Sequence, residues 1–255
     1  MLLEINHVKK SFGGIHAVKD VTIKVDDHQI IGIIGPNGAG KTTILNLISG
    51  IYPIDEGSIT FLGKDLKGMR THDIARMGLS RTFQNIRLFK GLTVEENVMT
   101  ALDSTAKYNV VSALTTIGAK RRIEKENKAM AGEILKELGL YEFRDERPDN
   151  LPYGLQRRVE LARAIITKPK LLMLDEPAAG LNPNEIDEFI ELIRELREKY
   201  QFGILFIEHR MKVVNELAEY IYVVNFGELL EEGKPVDVVN DPKVIQAYLG
   251  EEEDA

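Results

Sequence analysis

Three short apolar runs constrain the fold more than any other feature of this sequence. They span residues 29–34, 170–174 and 203–207, and each is followed by a loop and then by helix-like apolar spacing. Unbroken apolar runs of this length are typical of parallel strands that are covered on both faces. Strands alternating with helices predict an α/β fold with a mostly parallel core sheet, which binds its ligands beyond the carboxyl ends of the strands.

Other parts of the chain carry different patterns. Apolar and polar residues alternate at 3–8, 21–25 and 58–62, which predicts half-buried strands in a small antiparallel β subdomain. Between about 84 and 166 the strand-like runs disappear and charged, helix-spaced sequence takes over, most clearly at 120–138. We therefore predict a single domain over 1–255 with an α-helical subdomain inserted at approximately 84–166.

Two helices have ends that can be read from the sequence. The first follows residue 40 and should stop at Gly50. The second should begin at Asn182, because Pro183 suits the first helical position and Glu185 completes a capping box.

Composition excludes several classes of protein. The 255 residues include no cysteine, which excludes disulfides, thiolate metal sites and a cysteine nucleophile. The formal net charge of −7 gives no broad basic face for nucleic acid. No run approaches the ~18 apolar residues of a membrane-spanning helix, and the first residues do not resemble a signal peptide, so we expect a cytoplasmic chain.

A glycine-rich segment follows the first apolar run and opens a helix. Its residues are Gly35, Pro36, Asn37, Gly38, Ala39, Gly40, Lys41, Thr42 and Thr43. The pattern is that of a phosphate-binding P-loop, in which backbone N–H groups and a helix N-terminus surround phosphate oxygens. Lys41 would neutralise the β- and γ-phosphates and Thr42 would bind Mg²⁺; a purely structural glycine turn is the alternative.

The second apolar run ends in two carboxylates, Asp175 and Glu176. Beside a P-loop, Asp175 is placed to hold Mg²⁺ directly or through water, and Glu176 could polarise an attacking water. An acidic pair that is merely solvated is the alternative interpretation. The sequence thus predicts ATP and Mg²⁺ as ligands.

Taken in order along the chain, these motifs resemble those of an ABC ATPase, a P-loop NTPase that is the nucleotide-binding subunit of an ATP-binding cassette transporter. The further motifs that carry the resemblance are 81–85, 151–163, 175–177 and the strand end before His209. The resemblance to the ABC ATPases covers nearly the whole chain. It implies that Phe12 stacks on adenine, that Gln84 senses Mg²⁺ and the membrane subunits, and that His209 contacts the γ-phosphate.

The sequence departs from the family pattern at its signature, Leu-Ser-Gly-Gly-Gln. Pro152 stands at the serine position and offers neither a hydroxyl nor an N–H group. The contact with ATP on the partner subunit would then fall to the amides of Tyr153 and Gly154. Asn182 and Arg210 also stand where the family usually has Asp, which affects communication between two ATP sites rather than ATP binding.

Within the family, the chain resembles the longer ATP-binding subunit of branched-chain amino acid importers. The segments that carry this resemblance are 81–89, 153–154, 175–183, 207–209 and 247–250. It implies an ATP hydrolase that powers import, with Glu176, His209 and Lys41 as catalytic residues. Importers of urea, amides or aromatic acids share much of the pattern and stay open as alternatives.

The resemblance also implies an assembly. A second, shorter ABC ATPase would complete a heterodimer, although a homodimer fits as well, with two transmembrane permeases and an external solute-binding protein. The chain would lie on the cytoplasmic face of the membrane, and Ile86, Leu88 and Phe89 are candidates for the permease-facing surface or for packing inside the helical subdomain. A soluble ABC ATPase and a module that binds ATP but barely hydrolyses it are the remaining alternatives.

Overall fold

The computed structural model describes residues 1–105 and 117–253. These residues form two compact units, one made of Met1–Gln84 with Lys170–Ala255 and one of Asn85–Pro169. The division into a single domain with an insertion at about 84–166 stays a prediction.

The first unit contains a mixed sheet of ten described strands. The strands are β1 Leu3–Phe12, β2 Ile15–Val25, β3 Ile30–Ile34, β4 Glu56–Phe61, β5 Lys64–Asp65, β6 Leu79–Arg81, β7 Leu171–Asp175, β8 Gly203–Ile207, β9 Tyr220–Asn225 and β10 Glu228–Gly233. They lie in the order β5-β4-β1-β2-β10-β9-β3-β8-β7-β6. The three apolar runs are thus β3, β8 and β7, which are parallel neighbours and are buried along their whole length.

The predicted antiparallel strands are present, but they are not a separate sheet. β1, β2, β4 and β5 pair antiparallel with one another. The parallel pairing of Glu228 with Asp20 then joins β10 to β2 and makes the sheet continuous with β9 and β3. Local alternation identified β1, β2 and β4 but not the two-residue β5. The junction depends on residues about two hundred positions apart, so the sequence pattern did not indicate it.

The described helices are α1 Lys41–Ile48, α2 Thr71–Arg76, α3 Val94–Thr105, α4 Ile117–Glu137, α5 Tyr153–Ile165, α6 Pro183–Tyr200, α7 Met211–Leu217, α8 Pro235–Val238 and α9 Pro242–Glu253. The apolar face of α1, with Ile44, Leu45 and Ile48, belongs to the same buried cluster as Ile31 and Ile33 of β3. The end of β3 and the start of α1 are therefore fixed by one core.

Helix α6 begins as the sequence predicts. The Asn182 side chain accepts a hydrogen bond from the Glu185 N–H, and the Glu185 carboxylate accepts one from the Asn182 N–H. Pro183 occupies the first turn. This reciprocal cap stabilises the helix start by about 1 kcal/mol.

The second unit is helical in its described part. Helices α3, α4 and α5 pack against one another, and two short 3₁₀ segments, Tyr141–Phe143 and Pro148–Asn150, connect α4 to α5. Val98, Leu135 and Val159 lie in its buried apolar interior. Among the helices of the described ranges, none has the length and hydropathy needed to cross a membrane.

Candidate functional site

The carboxyl ends of β3, β8 and β7 bring most of the predicted site residues of the first unit together. Ile33 of β3 and Asp175 of β7 are both in register with Ile207 of β8. The N–H of Glu176 continues this pairing, since it donates to the Ile207 carbonyl at 3.0 Å. The register of the parallel strands therefore places the P-loop, the acidic pair and the residues after β8 at one edge.

The P-loop joins β3 to α1 through a turn that only glycine fits at two positions. Gly35 has φ +144°, and a Cβ there would lie 1.9 Å from the Val224 carbonyl oxygen. Gly40 has φ +102°, and its Cβ would lie 2.3 Å from the Ala17 carbonyl oxygen. These glycines let the loop pack directly against two other strands of the sheet.

Lys41 is the first residue of α1 and is 8% exposed. Its ammonium donates hydrogen bonds to the carbonyls of Gly35 and Pro36, each at 2.6 Å. The charge is thus held inside the loop. Around it, Asn37, Gly38 and Thr42 are exposed, Gly40 and Thr43 are half-buried, and Ala39 is buried.

Asp175 at the end of β7 forms a buried ion pair that the sequence did not indicate. Its Oδ2 atom lies 2.8 Å from Arg81 Nη2, and the two side chains are 3% and 6% exposed. The same guanidinium donates to Asn46 Oδ1 at 2.8 Å and to Ser49 Oγ at 3.2 Å. Arg81 therefore links the acidic strand end to α1.

Glu176 lies between two other predicted residues. Gln84 donates from Nε2 to Glu176 Oε2 at 2.8 Å, and Nδ1 of His209 lies 3.9 Å from the same oxygen. The carboxylate is 19% exposed and the imidazole 54%. Glu176 also has φ +46°, a backbone conformation that costs a non-glycine residue about 1–3 kcal/mol and that clusters at functional sites.

Gln84 reaches Glu176 because β6 pairs with β7. Arg81 is in register with Met173, and the Thr82 N–H donates to the Met173 carbonyl at 3.0 Å. β6 was not predicted from the sequence, since its three residues are too few to show a period.

Phe12 is the last residue of β1. It is distant in sequence from the strand ends described above, but it belongs to the same unit. Phe12 is 39% exposed, and its ring packs edge-to-face on Tyr52 with centroids 5.0 Å apart. Asp55 fixes this strand end by accepting from Lys10 Nζ and from the Ser11 N–H, each at 2.7 Å. The hydrogen bond from Lys10, followed by that from Ser11, lowers the pKa of the Asp55 carboxyl from its ordinary value.

The signature residues begin α5 in the second unit. Pro152 is the N-cap and provides no side-chain cap, so the first turn starts with the amides of Tyr153 and Gly154. The Tyr153 ring is 42% exposed and faces the guanidinium of Arg157, 5.4 Å from the ring centroid. The helix start therefore offers backbone donors and an aromatic ring in place of a serine hydroxyl.

The apolar residues after Gln84 lie in a firmly held loop of the second unit. Phe89 is 54% exposed, whereas Ile86 and Leu88 are half-buried. Fully buried Asn97 accepts from the Phe89 N–H at 2.7 Å and donates to its carbonyl at 3.0 Å. Arg163 Nη1 donates to the Arg87 carbonyl at 2.6 Å, and burial lowers the pKa of this guanidinium.

Two residues of this region have contacts that the sequence reasoning missed. Glu208, which precedes His209, is fully buried and accepts hydrogen bonds from the N–H groups of Ala178, His209 and Arg210. The Arg210 side chain donates to the Leu181 carbonyl at 3.0 Å. A buried charge directly after an apolar strand is the one signal that could have indicated the role of Glu208.

Chemically, this edge combines backbone N–H donors, a buried ammonium, hydroxyl and carboxylate oxygens and an imidazole. Such a set suits a phosphate ester. Residues 18–179 match the family model described as ABC transporter. The chain belongs to the ABC transporter family. A second model, described as Branched-chain amino acid ATP-binding cassette transporter, matches residues 228–254 of this ABC chain.

Individual ABC proteins resemble the chain over nearly its whole length. It is 46% identical over 250 residues to the high-affinity branched-chain amino acid transport ATP-binding protein LivG of Salmonella typhimurium, with 98% of each chain covered. A solved structure of the ADP conformation of MJ1267, an ATP-binding cassette of an ABC transporter, has a TM-score of 0.86 and 32% identity and covers 98% of both chains.

A third relative was solved as a dimer. The post-hydrolysis state of the ATP-binding cassette MJ0796, bound to ADP and Pi, has a TM-score of 0.78 and 25% identity, and the match covers 92% of this chain and 99% of that one. The predicted resemblance and fold class of the ABC chain are therefore confirmed. Nucleotide binding follows from membership of the family. The roles of single residues stay predictions.

Proposed function

We propose that this ABC chain binds and hydrolyses ATP to power the import of branched-chain amino acids. One observation carries the ATPase part: Glu176 contacts both Gln84 and His209, and it directly follows β7, which β8 separates from the P-loop strand β3. The substrate class rests on the LivG relative and on the second family model over residues 228–254.

The P-loop would hold the phosphates of ATP. Backbone N–H groups of the loop at 35–43, other than that of Pro36, which has none, would point at the phosphate oxygens. Lys41 would neutralise charge on the β- and γ-phosphates. Lys41 is already inside the loop, where its ammonium donates to two carbonyls that a phosphate can replace as acceptors. Phe12 would stack on the adenine, since its ring is partly exposed at a strand end that Asp55 fixes.

The donor atoms present also fit Mg²⁺. The Thr42 hydroxyl, the Asp175 carboxylate and the Gln84 amide oxygen are hard oxygen ligands of the kind that this ion prefers. Bound there, the ion would neutralise negative charge that develops on the phosphates. Arg81 keeps the Asp175 carboxylate oriented through its 2.8 Å contact with Oδ2.

Hydrolysis would use the residues after β7 and β8. Glu176 would orient a water and accept its proton, while His209 would donate to an oxygen of the γ-phosphate. The hydrogen bond from Gln84 leaves Glu176 Oε1 available for the water.

The active form would be a dimer of ATPase subunits that share two ATP molecules. Tyr153 and Gly154, at the uncapped start of α5, would contribute their amides to the ATP bound by the partner subunit. The partner is a second ABC ATPase, either a shorter homologue or a second copy. Two permeases and an external solute-binding protein would complete an importer, with this chain on the cytoplasmic face of the membrane.

Phe89 would face the permease. The loop around it is held by Asn97 and Arg163, so an exposed aromatic ring is presented by a rigid backbone rather than by a flexible one. Such rigid apolar anchors are typical of stable protein interfaces.

Uptake by the reconstituted importer tests the proposal. The chain would be co-expressed with candidate permeases, a second ABC ATPase and a solute-binding protein, and the purified complex placed in vesicles. We expect uptake of labelled leucine, isoleucine and valine that requires ATP and is abolished by Glu176→Gln. Uptake of urea or an aromatic acid instead of these would contradict the substrate class, and a complex without ATPase activity would contradict the function.

A further inference from the structure

Glu208 links two loops that are thirty residues apart in sequence. The carboxylate is fully buried. Its Oε1 atom accepts from the Ala178 N–H at 2.8 Å, and its Oε2 atom accepts from the N–H groups of His209 at 3.1 Å and Arg210 at 3.2 Å. One oxygen thus serves the loop after β7, and the other serves the segment after β8.

Arg210 ties the same two segments at a second point. Its guanidinium donates to the Leu181 carbonyl at 3.0 Å, immediately before the capping residue of α6. The loop after β7 is therefore held at Ala178 by Glu208 and at Leu181 by Arg210. Glu176 begins that loop, and His209 lies between the two residues that hold it.

We propose that Glu208 and Arg210 are positioning residues that keep Glu176 and His209 in register for ATP hydrolysis. Glu208 acts through backbone N–H groups on both sides of the link, and its Oε2 atom lies 4.0 Å from His209 Nδ1. Arg210 acts through the Leu181 carbonyl. The inference rests on the proposed ATPase function. Its physical basis is that an error of about 1 Å in a reacting group can cost a factor of ~100 in rate.

The hydrogen-bond pattern suggests an isosteric substitution, Glu208→Gln, that removes one acceptor oxygen. The three hydrogen-bond partners of Glu208 are backbone N–H donors, and only a carboxylate offers two acceptor oxygens in that space. Glutamine has the same shape but one acceptor, so its NH₂ group would face an N–H group of Ala178 or of His209 and Arg210. Glu208→Gln therefore breaks one side of the link with no change of volume.

ATPase kinetics of the reconstituted importer complex test the proposal. We expect Glu208→Gln to lower kcat about tenfold or more, which corresponds to the free energy of one charge-assisted hydrogen bond. The KM for MgATP should change less than about twofold, because the substitution leaves the P-loop unchanged. Arg210→Met should give a smaller fall in kcat. The double variant should lose less than the product of the two single losses, since both residues act on one loop.

Amide hydrogen exchange gives a second readout. Peptides that contain Ala178 and His209 should exchange faster in Glu208→Gln than in the wild type, with or without nucleotide. Tyr222→Phe is the matched control, since Tyr222 also bonds a backbone N–H and carbonyl, both of Lys24, far along the chain. It should reduce thermal stability but leave kcat and KM unchanged.

The outcomes distinguish the positioning role of Glu208 and Arg210 from the proposed ATPase function. Wild-type kcat in both Glu208→Gln and Arg210→Met, or a rise in KM that matches the fall in kcat, would overturn the positioning role. If Glu208→Gln does not fold, Arg210→Met decides the question. A wild-type kcat in Arg210→Met then overturns the positioning role, and a fall in its kcat at constant KM supports that role. A wild-type importer complex without ATPase activity would instead refute the proposed function, while the exchange data still report on the Glu208 link.

Discussion

Arg81 Nη2 lies 2.8 Å from Asp175 Oδ2, and both side chains are almost completely buried. The pair joins the short strand before Gln84 to the strand end before Glu176. Because Asn46 of α1 and its C-cap Ser49 also accept from this guanidinium, three elements around the proposed nucleotide site meet at one side chain.

Replacing Arg81 with methionine should destabilise the fold strongly. The substitution removes the Arg81 guanidinium from the buried Asp175 carboxylate, which costs about 3–5 kcal/mol of unfolding free energy. Urea unfolding of the purified chain measures the loss. Arg122→Ala removes an exposed helical ion pair with Glu126 and should leave the urea midpoint unchanged. Equal midpoints for Arg81→Met and the wild type would refute a stabilising role for the pair.

Glu176→Gln should bind MgATP normally and hydrolyse it roughly 100-fold or more slowly, because the amide cannot accept a proton from water. A single-turnover assay with labelled ATP checks this expectation. Glu191→Gln, on the exposed face of α6, is the control for charge removal. Near-normal single-turnover hydrolysis in Glu176→Gln would rule out its role as the base.

Lys41→Ala should weaken ATP binding by roughly 10- to 150-fold, which corresponds to the loss of charge-assisted hydrogen bonds to phosphate. Titration with a fluorescent ATP analogue measures the dissociation constant. Lys212→Ala removes a surface ammonium that pairs with Asp187 and should leave binding unchanged. Similar affinities in the two variants would argue against the P-loop as the nucleotide site.

Pro152→Ser should tighten ATP-dependent dimerisation by roughly tenfold, because a hydroxyl at the N-cap adds a donor toward the partner's ATP. The same hydroxyl can cap α5, which has no side-chain cap now. Sedimentation of the Glu176→Gln chain with and without Pro152→Ser, at several ATP concentrations, measures association. An unchanged dimer fraction would mean that the amides of Tyr153 and Gly154 already suffice.

Asp55→Asn should lower stability at neutral pH but not at strongly acid pH. The folded state lowers the pKa of this carboxyl from 3.8, so its contribution is present above that value and is lost as the pH falls through the lower folded pKa. Urea midpoints of the variant and the wild type should therefore differ at pH 7 and converge in strong acid. A constant gap would show that the hydrogen bonds from Lys10 and Ser11 do not depend on the ionised carboxylate.

The sequence by itself determined the features that depend on neighbouring residues. The apolar runs gave the central strands, the glycine-rich segment gave the turn before Lys41, and Asn182 with Glu185 gave the start of α6. Each feature is local, because a strand buried on both faces, a turn with positive φ and a helix cap each require particular residue types within about ten positions.

Only the tertiary structure decided which distant side chains meet. Pairing of β6 with β7 brings Arg81 to Asp175 and Gln84 to Glu176, across more than ninety residues of sequence. Pairing of β7 with β8 brings Glu208 to Ala178. These contacts follow from strand order and register, which no periodicity within a single segment encodes. The contacts of Arg81, Gln84 and Glu208 are therefore determined by the tertiary structure and not by local sequence.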